Sequence, residues 1–308
     1  GVADTGFVAL GFDSLRAVEL RDELATAMAL ELRSTLVFDH PTPRTLARHL
    51  LARLEADAEP HRPTGTMPPR GGPIAIVGAA CRVPGAANLR RFWQLLDNGA
   101  CAVVPIPPER MDLGPAPPPT TTTDRTPAGP VASPDGIHAR AAGLLDDVDR
   151  FDAAFFGISP REAARLDPAQ RLLLEVAFHA LEHADLPPRA LQGQRVGVYV
   201  GARSSEYPAV RGPRSPSRGD AFQETGTAMS TAAGRLAYTF GFTGPCYALD
   251  TACSGSLVAV HTAVRALRSG ECDVALAAGI GTLHDPEVMA NLCRARMLSP
   301  SDRCRPFD

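Results

Sequence analysis

Two residues of this chain have the type and the setting for covalent chemistry, a cysteine at 253 and a serine at 14. Cys253 follows Cys246-Tyr247-Ala248-Leu249-Asp250, which reads as a strand, and precedes Ser254, where a helical stripe through Leu257, Val260, Val264 and Leu267 begins. The thiol is therefore expected at a strand-to-helix turn. There it feels the positive end of the helix dipole, which favours the nucleophilic thiolate. The small neighbours Ala252, Ser254, Gly255 and Ser256 leave room for a reacting group, so the segment reads as a nucleophile elbow built on cysteine. The bland alternative is an inert turn thiol. The other cysteines, at 81, 101, 246, 272, 293 and 304, read as small buried hydrophobes.

Ser14 stands beside Asp13 at the start of another helical stripe, Ala17, Leu20, Leu24 and Ala27. On spacing alone the pair reads as a helix cap, a side-chain oxygen satisfying a free backbone N–H. A third candidate is His179-Ala180-Leu181-Glu182-His183, the pattern of an inverted zinc peptidase. It loses on the helical wheel. Leu174, Phe178 and Leu181 form the stripe to be buried, and the two histidines fall nearly opposite, on a solvated face. No metal site is expected. His261 reads as a core or interface histidine, and Met229 and Phe240 as core residues that could border a pocket.

The elements that must position these residues divide the chain. Residues 1–54 read as mostly helical, broken by His40-Pro41-Thr42-Pro43 and resumed through Leu46, Leu50 and Leu54. Residues 55–72 are polar and rich in Pro and Gly, a linker. From residue 73 the pattern turns to strands alternating with helices, a layered α/β domain. The expected strands are residues 73–78, a continuous apolar run with the character of a buried strand, then 195–201, 246–249 and 274–280. The chief helices are 168–184 and 254–268. The proline-rich stretch 105–134, with its threonine run at 120–123, reads as an extended surface excursion lacking apolar residues to bury.

Composition sets bounds. A chain of 308 residues holds about two domains. Its apolar fraction of 44% suits a globular protein, and its net charge of -3 offers no basic field for nucleic acid. All 31 cationic side chains are arginine, an association with GC-biased coding rather than with mechanism. No apolar run nears the roughly 18 residues of a membrane helix, no signal-peptide pattern opens the chain, and a cytoplasmic setting is the default. Seven cysteines, an odd number with no CxxC pair, indicate neither a disulfide framework nor a zinc knuckle.

The wider context of both residues resembles known families. Leu10-Gly11-Phe12-Asp13-Ser14-Leu15, running on to Arg21 and followed by residues 36–43, is similar to the acyl carrier domains of type I polyketide synthases, over residues 7–54. The resemblance implies that Ser14 carries a covalent 4'-phosphopantetheine arm, installed by a phosphopantetheinyl transferase. A helix start suits the phosphodiester, whose oxygens meet free N–H groups. The family's first helix is missing ahead of Phe7, so an incomplete bundle is expected.

Asp250-Thr251-Ala252-Cys253-Ser254-Gly255-Ser256-Leu257 resembles the active-site motif of polyketide β-ketoacyl synthases. Residues 74–78, 149–162, 166–175 and 233–238 match further motifs of that family in its order. The resemblance, over residues 73–308, implies the N-terminal half of a thiolase-like α/β ketosynthase that forms a homodimer. It also implies a two-stage reaction, in which Cys253 accepts an acyl chain from a carrier thioester. The chain is then lost to a carbanion made by decarboxylating a malonyl-type extender. Cysteine rather than glutamine at 253 resembles chain-extending synthases. The family's two catalytic histidines and a supporting lysine match positions beyond 308, and none of His179, His183, His261 or His284 matches them. These residues alone are therefore not expected to complete condensation.

The expected organisation is a carrier at 1–54, a linker at 55–72 and a ketosynthase part at 73–308. The implied partners are acyl carrier domains and further synthase domains downstream, with no nucleic acid and no membrane. The rival reading is a truncated, non-catalytic carrier fused to a dimerisation scaffold.

Overall fold

The computed structural model describes residues 2–7, 10, 12, 14–28, 30, 32, 36–56, 71–115, 125–126, 129–130, 137–210, 221–299 and 301–304. The chain divides into two compact units, residues 1–65 and 66–308.

The first unit is helical. A 3-10 turn at Val2–Asp4 precedes α1 (Ser14–Met28), α2 (Leu36–Asp39) and α3 (Pro43–Ala56). Pro43 opens α3, the helix position where its missing N–H costs nothing. Phe7, Ala17, Leu32, Leu36, Val37, Leu46 and Leu50 make the core, with Leu20 and Leu24 packed on it. Phe7 meets the edge of Phe12 with ring centroids 5.1 Å apart. Two expected stripe positions differ. Ala27 and Leu54 are exposed, and Ala25 and Met28 take the inward place on α1. Ten residues beyond Ala17, Ala27 has turned about 80° off its face at 100° per residue.

The second unit begins with α4 (Leu89–Asp97) and the short antiparallel pair β1 (Val103–Pro105) and β4 (Ala141–Gly143). Between these lie the two-residue strands β2 (Arg125–Thr126) and β3 (Gly129–Pro130). Then follow α5 (Pro160–Ala163), α6 (Pro168–His183), α7 (Pro188–Leu191), β5 (Val196–Ala202), α8 (Tyr207–Val210), α9 (Ala221–Thr227) and α10 (Met229–Phe240). The unit continues with β6 (Cys246–Leu249), α11 (Gly255–Ser269), β7 (Val274–Ile280) and α12 (Pro286–Arg294).

Strands β6, β5 and β7 form a parallel sheet in that order, with all seven residues of β5 buried. A parallel strand covered on both faces reads as a continuous apolar run, which β5 does. Val196, Val198 and Val200 join Leu173, Leu174, Leu181 and Leu236 of α6 and α10 in the main core. Tyr199 turns to the other face, against Ala259, Ala263 and Ala266 of α11. Helix α6 starts cleanly because Asp167 Oδ1 accepts the Ala169 N–H at 2.7 Å and Pro168 occupies its first turn.

Three expectations are corrected. Residues 73–78 form no strand, and Ile76 is 89% exposed. A strand needs a neighbouring edge, and this segment meets helix α6 instead. The Ala79 N–H donates to His183 Nδ1 at 3.2 Å, and a Cβ on Gly78 would lie 2.5 Å from the Ala180 carbonyl. The segment walls an apolar groove of about 440 Å³ shared with β7, α6 and α11.

On α11 the buried stripe is Gly255, Ala259, Ala263 and Ala266, not the larger residues. Leu257 is 74% exposed, and Val260, Val264 and Leu267 line the apolar groove. The helix is apolar on most of its circumference, and the face nearest the sheet takes the small side chains because the backbones approach closely.

In the proline-rich stretch, Ile106, Met111 and Leu113 are buried against Ala139, Met289 and Cys293. Prolines hide these spaced apolar residues from any periodicity. Residues 116–124, 127–128 and 131–136 lie outside the described residues.

Candidate active site

The turn that carries Cys253 is built from its own short-range bonds. Strand β6 ends at Leu249, and Asp250 Oδ1 accepts the Ala252 N–H at 2.9 Å. Ala252 sits in the left-handed region at φ 52°, a conformation costing about 1–2 kcal/mol for a residue with a Cβ. Thr251 then closes the turn. Its carbonyl accepts the Ser254 hydroxyl at 2.8 Å and the Ser254 N–H at 3.3 Å. A 3-10 turn at Ala252–Ser254 runs directly into α11, whose first residue, Gly255, is helical at φ -50° and ψ -46°. Cys253 is exposed within that turn, at the carboxyl edge of the parallel sheet.

The Ser254 hydroxyl is spent on Thr251 and makes no cap bond to α11, while the Gly255 N–H turns back to the Ala252 carbonyl. The first-turn N–H groups of α11 and the helix dipole favour negative charge at the start of the helix. An exposed thiol in that place, among small neighbours, can attack an electrophilic carbon and later leave from it.

Ser14 is the first residue of α1. A phosphodiester there would find the unpaired N–H groups of a helix start, so the backbone at this position fits a phosphopantetheine group. Asp13 lies outside the described residues.

The two histidines of α6 each meet a protein partner. His179 is exposed, with Nδ1 2.9 Å from Glu182 Oε2, and the Nδ1 of His183 receives the Ala79 N–H. Among the described residues no group of three or more His, Cys, Asp or Glu side chains could hold a metal ion. His261 is exposed on α11, not in the core, and Phe240 is buried in the main core.

Sequence reasoning missed an acidic cluster beyond the ends of β5 and β7. Asp167 and Glu206 are both more than nine-tenths buried. The Ser205 hydroxyl donates to Asp167, and Glu206 Oε2 accepts the N–H groups of His284 at 2.8 Å and Asp285 at 3.0 Å. Arg203 pairs with the other oxygen of Glu206 at 2.8 Å. The cluster ties the loop after β5 to the loop after β7, and with Met229 it lines a small cavity of about 30 Å³ that Cys253 does not reach. Only the capping Asp167-Pro168 pair carries a sequence signal; nothing in the spacing marks Glu206.

Comparison with known proteins bears on both units. The family model for the N-terminal domain of β-ketoacyl synthases matches residues 72–308, and the model for a phosphopantetheine attachment site matches residues 1–50. The spectinabilin polyketide synthase system protein NorC of Streptomyces orinoci is 45% identical over 99% of this chain. The pikromycin polyketide synthase component PikAII of Streptomyces venezuelae is likewise 45% identical over 99% of it. The chain spans 13% and 8% of those two proteins. Among solved structures, the Streptomyces albus oxazolomycin ketosynthase domain OzmH KS7 matches with a TM-score of 0.64 and 36% identity, over 75% of this chain and 38% of its own. A ketosynthase of the Bacillus subtilis bacillaene synthase matches with a TM-score of 0.62 and 34% identity, over 74% of this chain and 35% of its own. The second unit thus has the thiolase-like fold of ketosynthases. The chain belongs to the β-ketoacyl synthase family, with a phosphopantetheine-attachment domain ahead of the synthase domain.

Proposed function

We propose that the chain works in polyketide assembly, holding an acyl group through Ser14 and transferring acyl groups onto Cys253. The observation that carries this reading is the exposed Cys253 in an uncapped strand-to-helix turn of a ketosynthase fold. The phosphopantetheine arm supplies a thiol that carries the acyl group as a thioester.

Cys253 serves both stages of the acyl transfer, and promoting loss of carbon dioxide from the extender is not assigned to residues 1–308. The Cys253 sulfur attacks the thioester carbonyl carbon, a new C–S bond forms, and the donor thiolate leaves and takes up a proton. The acyl group then passes to a carbanion made when a malonyl-type extender loses carbon dioxide. The new C–C bond forms as the C–S bond breaks and the Cys253 thiolate returns. A thiolate suits both stages, as nucleophile and then as leaving group.

In this reading residues 1–54 are the carrier, 55–72 the linker and 73–308 the ketosynthase part. The partners are acyl carrier domains, a phosphopantetheinyl transferase, further synthase domains and a second copy of the ketosynthase. A cytoplasmic setting, which keeps thiols reduced, suits seven free cysteines.

Incubation with a radiolabelled acyl thioester tests the proposal. A stable adduct that is lost in Cys253→Ala is the expected result. A wild-type chain that takes up no label overturns it in favour of a non-catalytic scaffold, and label that persists in Cys253→Ala moves the chemistry to another residue.

A further inference from the structure

The first turn of α11 rests on two glycines. In the sheet register Gly201 of β5 is paired with Gly279 of β7 on one side and with Leu249 of β6 on the other. Paired residues share a face of the sheet, and this face is the one α11 covers. A Cβ on Gly201 would lie 2.3 Å from the Gly255 carbonyl carbon and 2.6 Å from the Ser256 nitrogen. On Gly279 it would lie 2.5 Å from the Ser256 Cβ. Neither glycine has a positive φ, so the close approach of α11, not backbone conformation, demands the missing side chains. Further along the helix the contact is made by Ala259, Ala263 and Ala266. The glycines therefore mark the place where helix and sheet come nearest, two residues after Cys253.

We infer that Gly201 and Gly279 are positioning residues for Cys253. The inference rests on the reading of Cys253 as the acyl-accepting nucleophile. Only the residues from Asp250 to Ser254 join the end of β6 to the start of α11, and Ala252 already holds a left-handed conformation there. If a methyl group at 201 or 279 lifts the first turn of α11, that short connection absorbs the movement. The thiol then shifts relative to the helix N–H groups and to the carboxyl edge of the sheet. A displacement near 1 Å at a reacting atom can cost on the order of 100-fold in rate.

The contact at Gly279 is with a side chain, and it can be relieved. With Ser256→Gly the clashing Cβ disappears, leaving the Ser256 Cα at 3.4 Å from the new methyl. The contact at Gly201 is with backbone and has no such remedy. The experiment measures Cys253 acylation by butyryl-N-acetylcysteamine in the full chain. It compares wild type, Ser256→Gly, Gly279→Ala, Gly201→Ala and the double variants of each glycine with Ser256→Gly. Gly234→Ala, a helix position with open space around it, is the control for an added methyl.

The expected result is slow acylation in Gly201→Ala and Gly279→Ala, on the order of 100-fold. Rescue by Ser256→Gly is expected at 279 but not at 201. If Gly279→Ala fails to fold, the double variant against Ser256→Gly alone decides: equal rates support the inference, and a tenfold deficit overturns it. Wild-type rates in Gly279→Ala also overturn it. A wild-type chain that is not acylated at all refutes the nucleophile reading itself, a distinct outcome.

Discussion

Tyr199 is fully buried between the sheet and α11, and its hydroxyl lies 4.0 Å from the Cys272 Sγ. Burial pushes the ionisation of the phenol well above its ordinary range, so it stays neutral and needs a hydrogen-bond partner. Cys272→Ala removes that partner and is expected to cost about 1–3 kcal/mol, part of which Tyr199→Phe returns in the double variant. Urea titration of the three proteins checks this. His284 poses the opposite problem. Its Nε2 is buried with no hydrogen-bond partner among the described residues. Asp167 and Glu206 favour the charged ring while Arg110 opposes it, but burial dominates and moves the pKa below 6.5. The unfolded chain then binds a proton that the folded chain resists. Stability from this group is whole above about pH 6.5 and declines as pH falls toward the lowered value. His284→Gln is expected to flatten the stability profile between about pH 7 and 5. An unchanged slope, measured by thermal melts across that range, would remove His284 from the account.

At the scale of elements, the strand β7 was legible to the residue, and β5, α6 and α11 to within one or two, because each has a period or composition that its neighbours reinforce. The face of α11 was not legible. Large apolar residues ordinarily mark the buried side of a helix, yet here Ala263 faces the sheet and Leu257 faces outward. Periodicity detects an apolar stripe but not how closely a backbone can come, and that depended on Gly201 and Gly279 in other strands. The packing predicts inverted mutational costs. Ala263→Leu forces extra volume between helix and sheet and is expected to cost about 1–3 kcal/mol, whereas Leu257→Ser should stay within about 0.5 kcal/mol. Thermal denaturation of the two variants tests the ordering; the reverse order would restore the conventional stripe. The strand expected at residues 73–78 failed for a related reason. An apolar run signals burial, but a strand also needs an edge to pair with, and no local pattern reports that edge.

In the molecule as a whole, the two residues proposed to carry the chemistry fall in separate compact units, Ser14 in residues 1–65 and Cys253 in residues 66–308. Both were visible in the sequence because each lies at or just before a helix start within a recognisable motif, whereas the buried Asp167–Glu206 cluster exists only once distant loops meet. Separate units with separate cores should lose their activities separately. With coenzyme A and a phosphopantetheinyl transferase, wild type and Cys253→Ala are expected to gain one arm's mass and Ser14→Ala none. With a soluble acyl thioester as donor, wild type and Ser14→Ala are expected to form the Cys253 adduct at comparable rates, and Cys253→Ala none. Intact-mass spectrometry reads both reactions on the same three proteins. If Ser14→Ala still gains the arm, the attachment point is another hydroxyl. If it loses Cys253 acylation from the soluble donor, the two functions are coupled through the protein rather than merely carried on one chain.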